Sequence, residues 1–298
     1  MKNIFYIPSM LIILALGLSS CDKHIESQNI NTNISSDILY NPFLQQLVKY
    51  DSKSGKEGLW DDTNNQFQYQ IPNSDDLYIN GNSINSSFSL IRVNKNDTEL
   101  LYDFKKNEGA FPISLVGNKL YFIHTYYENS GLEKEDKRKI GIYDIDKKEV
   151  VDFKNTSGLI SKGKANNQYL FYSTYNNDED KYDLQKLKLG KNEVYNKPEL
   201  VMSNLSHGDI YVKNNEICTT DAHNIMCKDQ KWDSKVVNYF KGSKLVQIYP
   251  EEPSGLKLSI SNTDKNKEKI IVDKVNGIKF EGDSIIVSTS SGIEKYNL

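Results

Sequence analysis

Two cysteines nine positions apart, Cys218 and Cys227 in "EICTTDAHNIMCKD", have the spacing in this chain that most directly implies chemistry. With Asp221 to Asn224 as a hairpin turn, Thr220 faces Ile225 and Cys218 stands opposite Cys227. Directly opposed strand residues come within disulfide range, so the pair is a disulfide candidate, with a buried thiol pair as the alternative. A metal centre on Cys218, His223 and Cys227 is disfavoured, because no fourth ligand is at hand and the spacing matches no zinc pattern. His124, in "LYFIHTYY", reads as a strand residue satisfied by neighbours, with no identifiable acid–base partner. Asn176, Asp178, Asp180 and Asp183 in "NNDEDKYD" offer oxygen ligands, yet the glycine and distal glutamate of a calcium loop are missing. A hydrated charged turn is the simpler reading. With no G-x-S-x-G elbow, H-E-x-x-H helix or phosphate-binding glycine loop, the expectation is no catalytic residue, no metal and no cofactor.

The elements that must position these residues are strands. A short phrase recurs, a turn of Gly, Asn, Asp or Ser followed by a β-rich run: "SDDLYI", "VGNKLYFIH", "ANNQYLFYS", "KNNEICTT", "KGSKLVQIY" and "EGDSIIVST". Second runs such as "KIGIYDID" and third runs such as "EVVDFKN" follow, which is an all-β pattern. Taking Leu77, Leu120, Leu170, Ile217, Leu245 and Ile285 as markers, the separations are 43, 50, 47, 28 and 40 residues. Periods of about 40 to 50 residues with four short strands each mark the blades of a β-propeller. The 13 residues after Ile285 and the 33 from Leu44 to Leu77 supply one more blade-length between them. Six blades are therefore expected, with seven as the alternative count, closed by pairing of N- and C-terminal strands. A β-sandwich is the competing all-β fold. The 28-residue interval reads as a trimmed blade.

In a propeller, loops between second and third strands emerge on one face together with the links between blades. Three such loops combine tyrosine with acid. "YYENSGLEKEDKR" carries Tyr126, Tyr127, Glu128, Glu133, Glu135 and Asp136. "YNNDEDKYD" carries Tyr175, Asp178, Glu179 and Asp180, and "YPEEPSG" carries Tyr249, Glu251 and Glu252. Loops on a rigid scaffold are where binding residues concentrate, and this rim suits a basic protein partner, with tyrosines as anchors and carboxylates steering approach.

At the other end, Lys2 precedes the apolar run Ile4 to Leu18, too short for a stable membrane span and suited to a secretory signal. Leu18, Ser19, Ser20 and Cys21 resemble the lipobox of bacterial lipoproteins, and nearly all of the chain resembles the broad class of those lipoproteins that carry a β-propeller. The resemblance implies cleavage before Cys21, acylation of Cys21, and anchoring to a lipid bilayer outside the cytoplasm, the periplasmic face being the expected location. Residues 1–20 are then the signal peptide, 21–42 a polar tether and 43–298 the propeller. Without Lys2, 36 basic residues face 40 acidic ones, so nucleic acid is not an expected partner.

Two functions follow as expectations. One is a membrane-anchored protein-binding or scaffold module, an immunity-type inhibitor of a periplasmic toxin being its narrower form. The other is a propeller hydrolase or lyase acting on a sugar or lactone with a metal in the central channel.

Overall fold

Alternating apolar and polar residues between Gly, Asn and Asp turns fold here into antiparallel strands. The computed structural model describes residues 36–298 apart from 44–45, 52–55, 60–73, 82–87, 95–97, 128–137, 253–254 and 265–268. Among the described residues the only helical element is one 3-10 turn at Glu193–Tyr195. The chain opens with β1 (Ser36–Asn41), β2 (Gln46–Asp51) and β3 (Lys56–Leu59), followed by β4 (Leu77–Gly81), β5 (Ser89–Val93) and β6 (Thr98–Tyr102). Four-stranded blades come next. These are β7 (Glu108–Val116), β8 (Lys119–Tyr126), β9 (Lys139–Asp144) and β10 (Glu149–Asp152), then β11 (Leu159–Ala165), β12 (Tyr169–Asn176), β13 (Lys181–Lys188) and β14 (Glu199–Leu205). Two more follow: β15 (Ile210–Lys213), β16 (Glu216–Thr220), β17 (Asn224–Cys227) and β18 (Gln230–Asp233), then β19 (Val237–Lys241), β20 (Lys244–Glu251), β21 (Gly255–Asn262) and β22 (Lys269–Val272). The last strands are β23 (Val275–Glu281), β24 (Ser284–Thr289) and β25 (Gly292–Asn297).

Six hydrogen-bonded sheets result, and they are the six blades of a ring. The closing sheet draws on both chain ends, in the order β25-β24-β23-β1-β2-β3. Its two halves meet through one residue pair, Tyr40 with Ile278, and the Asn41 side-chain amide donates to the Asn276 carbonyl at 2.7 Å. A Cβ on Gly277 would lie 2.9 Å from Cβ of Leu39, so the close approach of β1 to β23 requires glycine there. β1, Ser36–Asn41, precedes residue 43. Ile38, Leu39 and Tyr40 of β1 are buried, which draws the end of the polar stretch 21–42 into the ring.

The recurring phrases fall on β4, β8, β12, β16, β20 and β24. The 28-residue interval proves to be a complete blade, β15 to β18, with strands of four or five residues. It is short because its later links are tight, three residues (221–223) joining β16 to β17, two (228–229) joining β17 to β18 and three (234–236) leading into β19. Asn214 and Asn215 both take positive φ, the conformation of a two-residue hairpin turn.

Adjacent blades bury apolar clusters between them. Phe104, Leu120, Phe122 and Tyr143 fill one such interface, and Ile113, Tyr121, Ile140, Phe153 and Leu170 the next. Each large side chain so buried contributes about 1.5–3 kcal/mol.

Candidate functional site

The second strands β8, β12 and β20 all run to the same face of the ring, so the hairpins that follow them share a rim. Glu128, Glu133, Glu135 and Asp136 lie outside the described residues, as does Cys21. β8 ends and β9 begins at this face.

Tyr175, Tyr249, Tyr126 and Tyr127 are all half-buried rather than projecting. Tyr175 donates its hydroxyl to Asp180 Oδ1 at 2.5 Å and packs on Tyr182, with ring centroids 5.0 Å apart. Asp180 takes positive φ at the hairpin tip, and Asn176 Oδ1 accepts from the Asp178 N–H at 3.0 Å. The run "NNDEDKYD" is thus an internally hydrogen-bonded turn. Tyr249 lies beneath the Lys235 ammonium, 5.3 Å from its ring centroid. Glu251 pairs with Lys257, which also reaches Asp273 at 3.3 Å. Asp178, Glu179 and Glu252 are exposed and make no ion pair among the described residues. Their charge faces solvent uncompensated.

Beneath the same rim His124 has the acid partner that sequence reasoning missed. Its Nδ1–H donates to Asp152 Oδ1 at 2.8 Å, the carboxylate fixing that tautomer, while the Tyr126 hydroxyl donates to Asp152 Oδ2 at 2.7 Å. The imidazole packs among Tyr126, Phe104 and Phe122, at centroid distances of 4.4, 5.0 and 5.7 Å. His124 Nε2 is buried without a hydrogen bond, 4.0 Å from Glu108 Oε2. Burial pulls the Asp152 carboxyl upward, but the hydrogen bond and charge of His124, the Tyr126 hydroxyl and the Lys139 charge together outweigh it and hold it below the ordinary range. Burial, then Asp152, pushes the Tyr126 phenol up. No sequence motif links the three, since Asp152 is two strands away from His124 in the blade.

A depressed carboxyl stabilises the folded state above its unfolded pKa of about 3.9, and that stability is lost as pH falls through the folded value. Asp152→Asn should therefore cost about 2 kcal/mol at pH 7, with the gap to the parent closing in acid. Urea melts at pH 7 and pH 3 check this; an equal gap at both would remove Asp152 as an acid-sensitive tie.

Among the described residues no three His, Cys, Asp or Glu side chains stand close enough to share a metal ion. Cys218 and Cys227 are joined in a disulfide with Cα atoms 4.4 Å apart, on the hairpin expected from the sequence: Thr220 pairs with Ile225, and the Asp221 N–H donates to the Asn224 carbonyl.

Fold and site together define a six-bladed β-propeller with an acidic, tyrosine-bearing rim on one face. No protein-family model matches the sequence, and no curated protein matches it. Among solved structures, the chain is similar to the acylaminoacyl peptidase of Pyrococcus horikoshii, with TM-score 0.53 and 12% identity, covering 85% of this chain and 47% of that one. It is similar to the β-propeller domain of the Trilobed protease from Pyrococcus furiosus, with TM-score 0.51, 12% identity, and 88% and 91% of the two chains covered. That domain is described as having an open velcro topology. A puromycin hydrolase gives TM-score 0.51 at 8% identity, with 85% of this chain and 48% of that one covered. The chain spans about half the length of the two larger enzymes. At such identities the likeness is one of fold.

Proposed function

We propose that this chain is a binding module that offers the rim of its propeller to a basic protein partner, held at the outer side of a bacterial membrane by acyl chains on Cys21. The observation that carries the reading is the set of unpaired carboxylates, Asp178, Glu179 and Glu252, at hairpin tips on one face of a rigid ring. Half-buried tyrosines beside them supply apolar area whose position is already set by packing, so little ordering entropy is lost on contact. Rim charges act chiefly on association rate and salt dependence. An incoming toxin domain inhibited at the envelope is a partner of this kind.

The test is capture from detergent-solubilised envelopes with the parent chain and with Asp178→Asn, Glu179→Gln, Glu252→Gln combined. The expected result is a partner retained by the parent at low salt, released by moderate salt, and bound at least tenfold more weakly by the variant. Identical captures with both chains would remove the rim as the binding surface.

A further inference from the structure

The axis of the ring holds a second site, distinct from the rim. A cavity of about 410 Å3 is lined by the ends of the inner strands β7, β11, β15 and β19 and the turns that follow them, at the face opposite the rim hairpins. A narrower one of about 220 Å3 is lined by the beginnings of the same strands, on the rim side. Lys164, Tyr211, Asn238, Tyr239 and Ile113 line both, so the two chambers meet at a waist formed by these residues.

The waist is rich in donors and poor in acceptors. The Lys164 ammonium has no hydrogen-bond or ion-pair partner among the described residues, although the neighbouring Lys162 pairs with Asp209 at 3.9 Å. The Tyr211 oxygen accepts from the Asn238 amide at 3.3 Å, which leaves its own proton to donate, and the Tyr239 hydroxyl has no partner. Burial and then the Lys162 charge bring the Lys164 ammonium down to about 8, against the opposing pull of Asp209. A half-buried cation whose nearby carboxylate, Asp209, is already paired with Lys162 carries a cost of folding that a bound anion would relieve. Toward the mouth of the wider chamber stand Asn167, Asn214 and Asn215, whose side-chain amides make no hydrogen bonds among the described residues. An amide offers both donor and acceptor, the pairing that a hydroxyl needs.

We propose that the axial channel binds a small polyhydroxylated organic acid, its carboxylate on Lys164 at the waist and its hydroxyls on the asparagines of the wider chamber. The combined volume suits a single sugar-sized ligand. Recognition rests on Lys164 as charge partner, with the tyrosine hydroxyls as neutral donors to the same carboxylate.

The probe is glucuronate, with glucose as its neutral counterpart and inorganic phosphate as a bare anion, titrated calorimetrically into the full chain in detergent. Glucuronate should bind at least tenfold more tightly than either comparator, and its affinity should fall as pH rises from 7 to 9 and Lys164 loses its proton. Lys164→Gln should weaken binding at least tenfold, whereas Lys164→Arg, whose charge does not titrate in this range, should bind with a flat pH profile. The combined rim variant should bind glucuronate as the parent does. Undiminished binding by Lys164→Gln, or glucose binding as tightly as glucuronate, would overturn the proposal. Equal binding of phosphate and glucuronate would replace the hydroxy acid with a simple anion site, and no detectable binding at millimolar concentration would end the assignment altogether.

Discussion

Glu193→Ala is expected to destabilise the propeller by about 3 kcal/mol, because three donors converge on one buried carboxylate. Glu193 is 3% exposed in the 3-10 turn between β13 and β14. It accepts from the Lys119 ammonium, from the Tyr121 hydroxyl at 3.0 Å and from the Gly190 N–H at 3.0 Å. Lys119 and Tyr121 belong to the preceding blade, so the carboxylate ties the β13–β14 loop of one blade onto the face of its neighbour. Two further hydrogen bonds reinforce the contact, the Lys154 backbone N–H to the Val194 carbonyl and the Asn155 side-chain amide to the Tyr195 carbonyl, both at 2.8 Å. Burial and then Glu193 push the Tyr121 phenol up, so it remains a neutral donor at any working pH. Alanine leaves that buried hydroxyl unsatisfied, while the N–H of exposed Gly190 turns to water. Glu193→Gln keeps the shape but turns an amide toward Lys119, and an intermediate loss of about 1–2 kcal/mol is expected. Urea titration followed by circular dichroism measures both. A loss below 1 kcal/mol for alanine would show that water replaces the carboxylate and that the blades hold together by apolar packing alone.

The Glu193 network also shows where sequence reading stops. Its members lie 72 and 74 positions apart, in two blades, and meet only because one blade stacks on the next. The repeat itself was legible, because the second strand of each blade is buried on both faces and therefore reads as a nearly continuous apolar run after a turn. The Cys218–Cys227 hairpin was legible for a similar reason, since its turn length sets the register within a few residues. His124 and Asp152 were not. They come together across β9, where Gly141 has no side chain and a Cβ would stand 2.4 Å from the Phe122 ring. Finding that pair requires two strand registers at once. Lys164, in "SKGKAN", is chemically one lysine among many, and only the ring places it on the axis instead of in solvent. The place of β1 in the ring is not legible locally, because "DILY" is a short apolar patch at the end of a polar stretch and its partner, β23, is more than two hundred residues further on.

Replacing Cys218 and Cys227 together by alanine is expected to cost about 3 kcal/mol, the second large effect. The bond closes a loop across a sequence separation of 9 residues, and the chain-entropy account assigns about 2.6 kcal/mol to a loop of that length. Both sulfurs are buried against Ile225, Phe240 and Leu245, so packing adds to the loss. The blade concerned has the shortest strands of the four-stranded sheets, and one of its strand pairings, β16 with β17, rests on two ladder positions beside the disulfide. Few other contacts can take up the strain. Thermal melts of the parent, the reduced parent and the double variant separate the contributions: equal melting of reduced and variant chains assigns the effect to the cross-link, and a lower-melting variant assigns the remainder to the lost sulfurs. The same bond reports on location, because disulfides persist in oxidising compartments and not in the cytosol. Protein taken from intact cells, denatured under thiol-trapping conditions, should leave Cys218 and Cys227 unlabelled. Labelling of both would place the chain in a reducing compartment and would contradict anchoring at the outer side of the membrane.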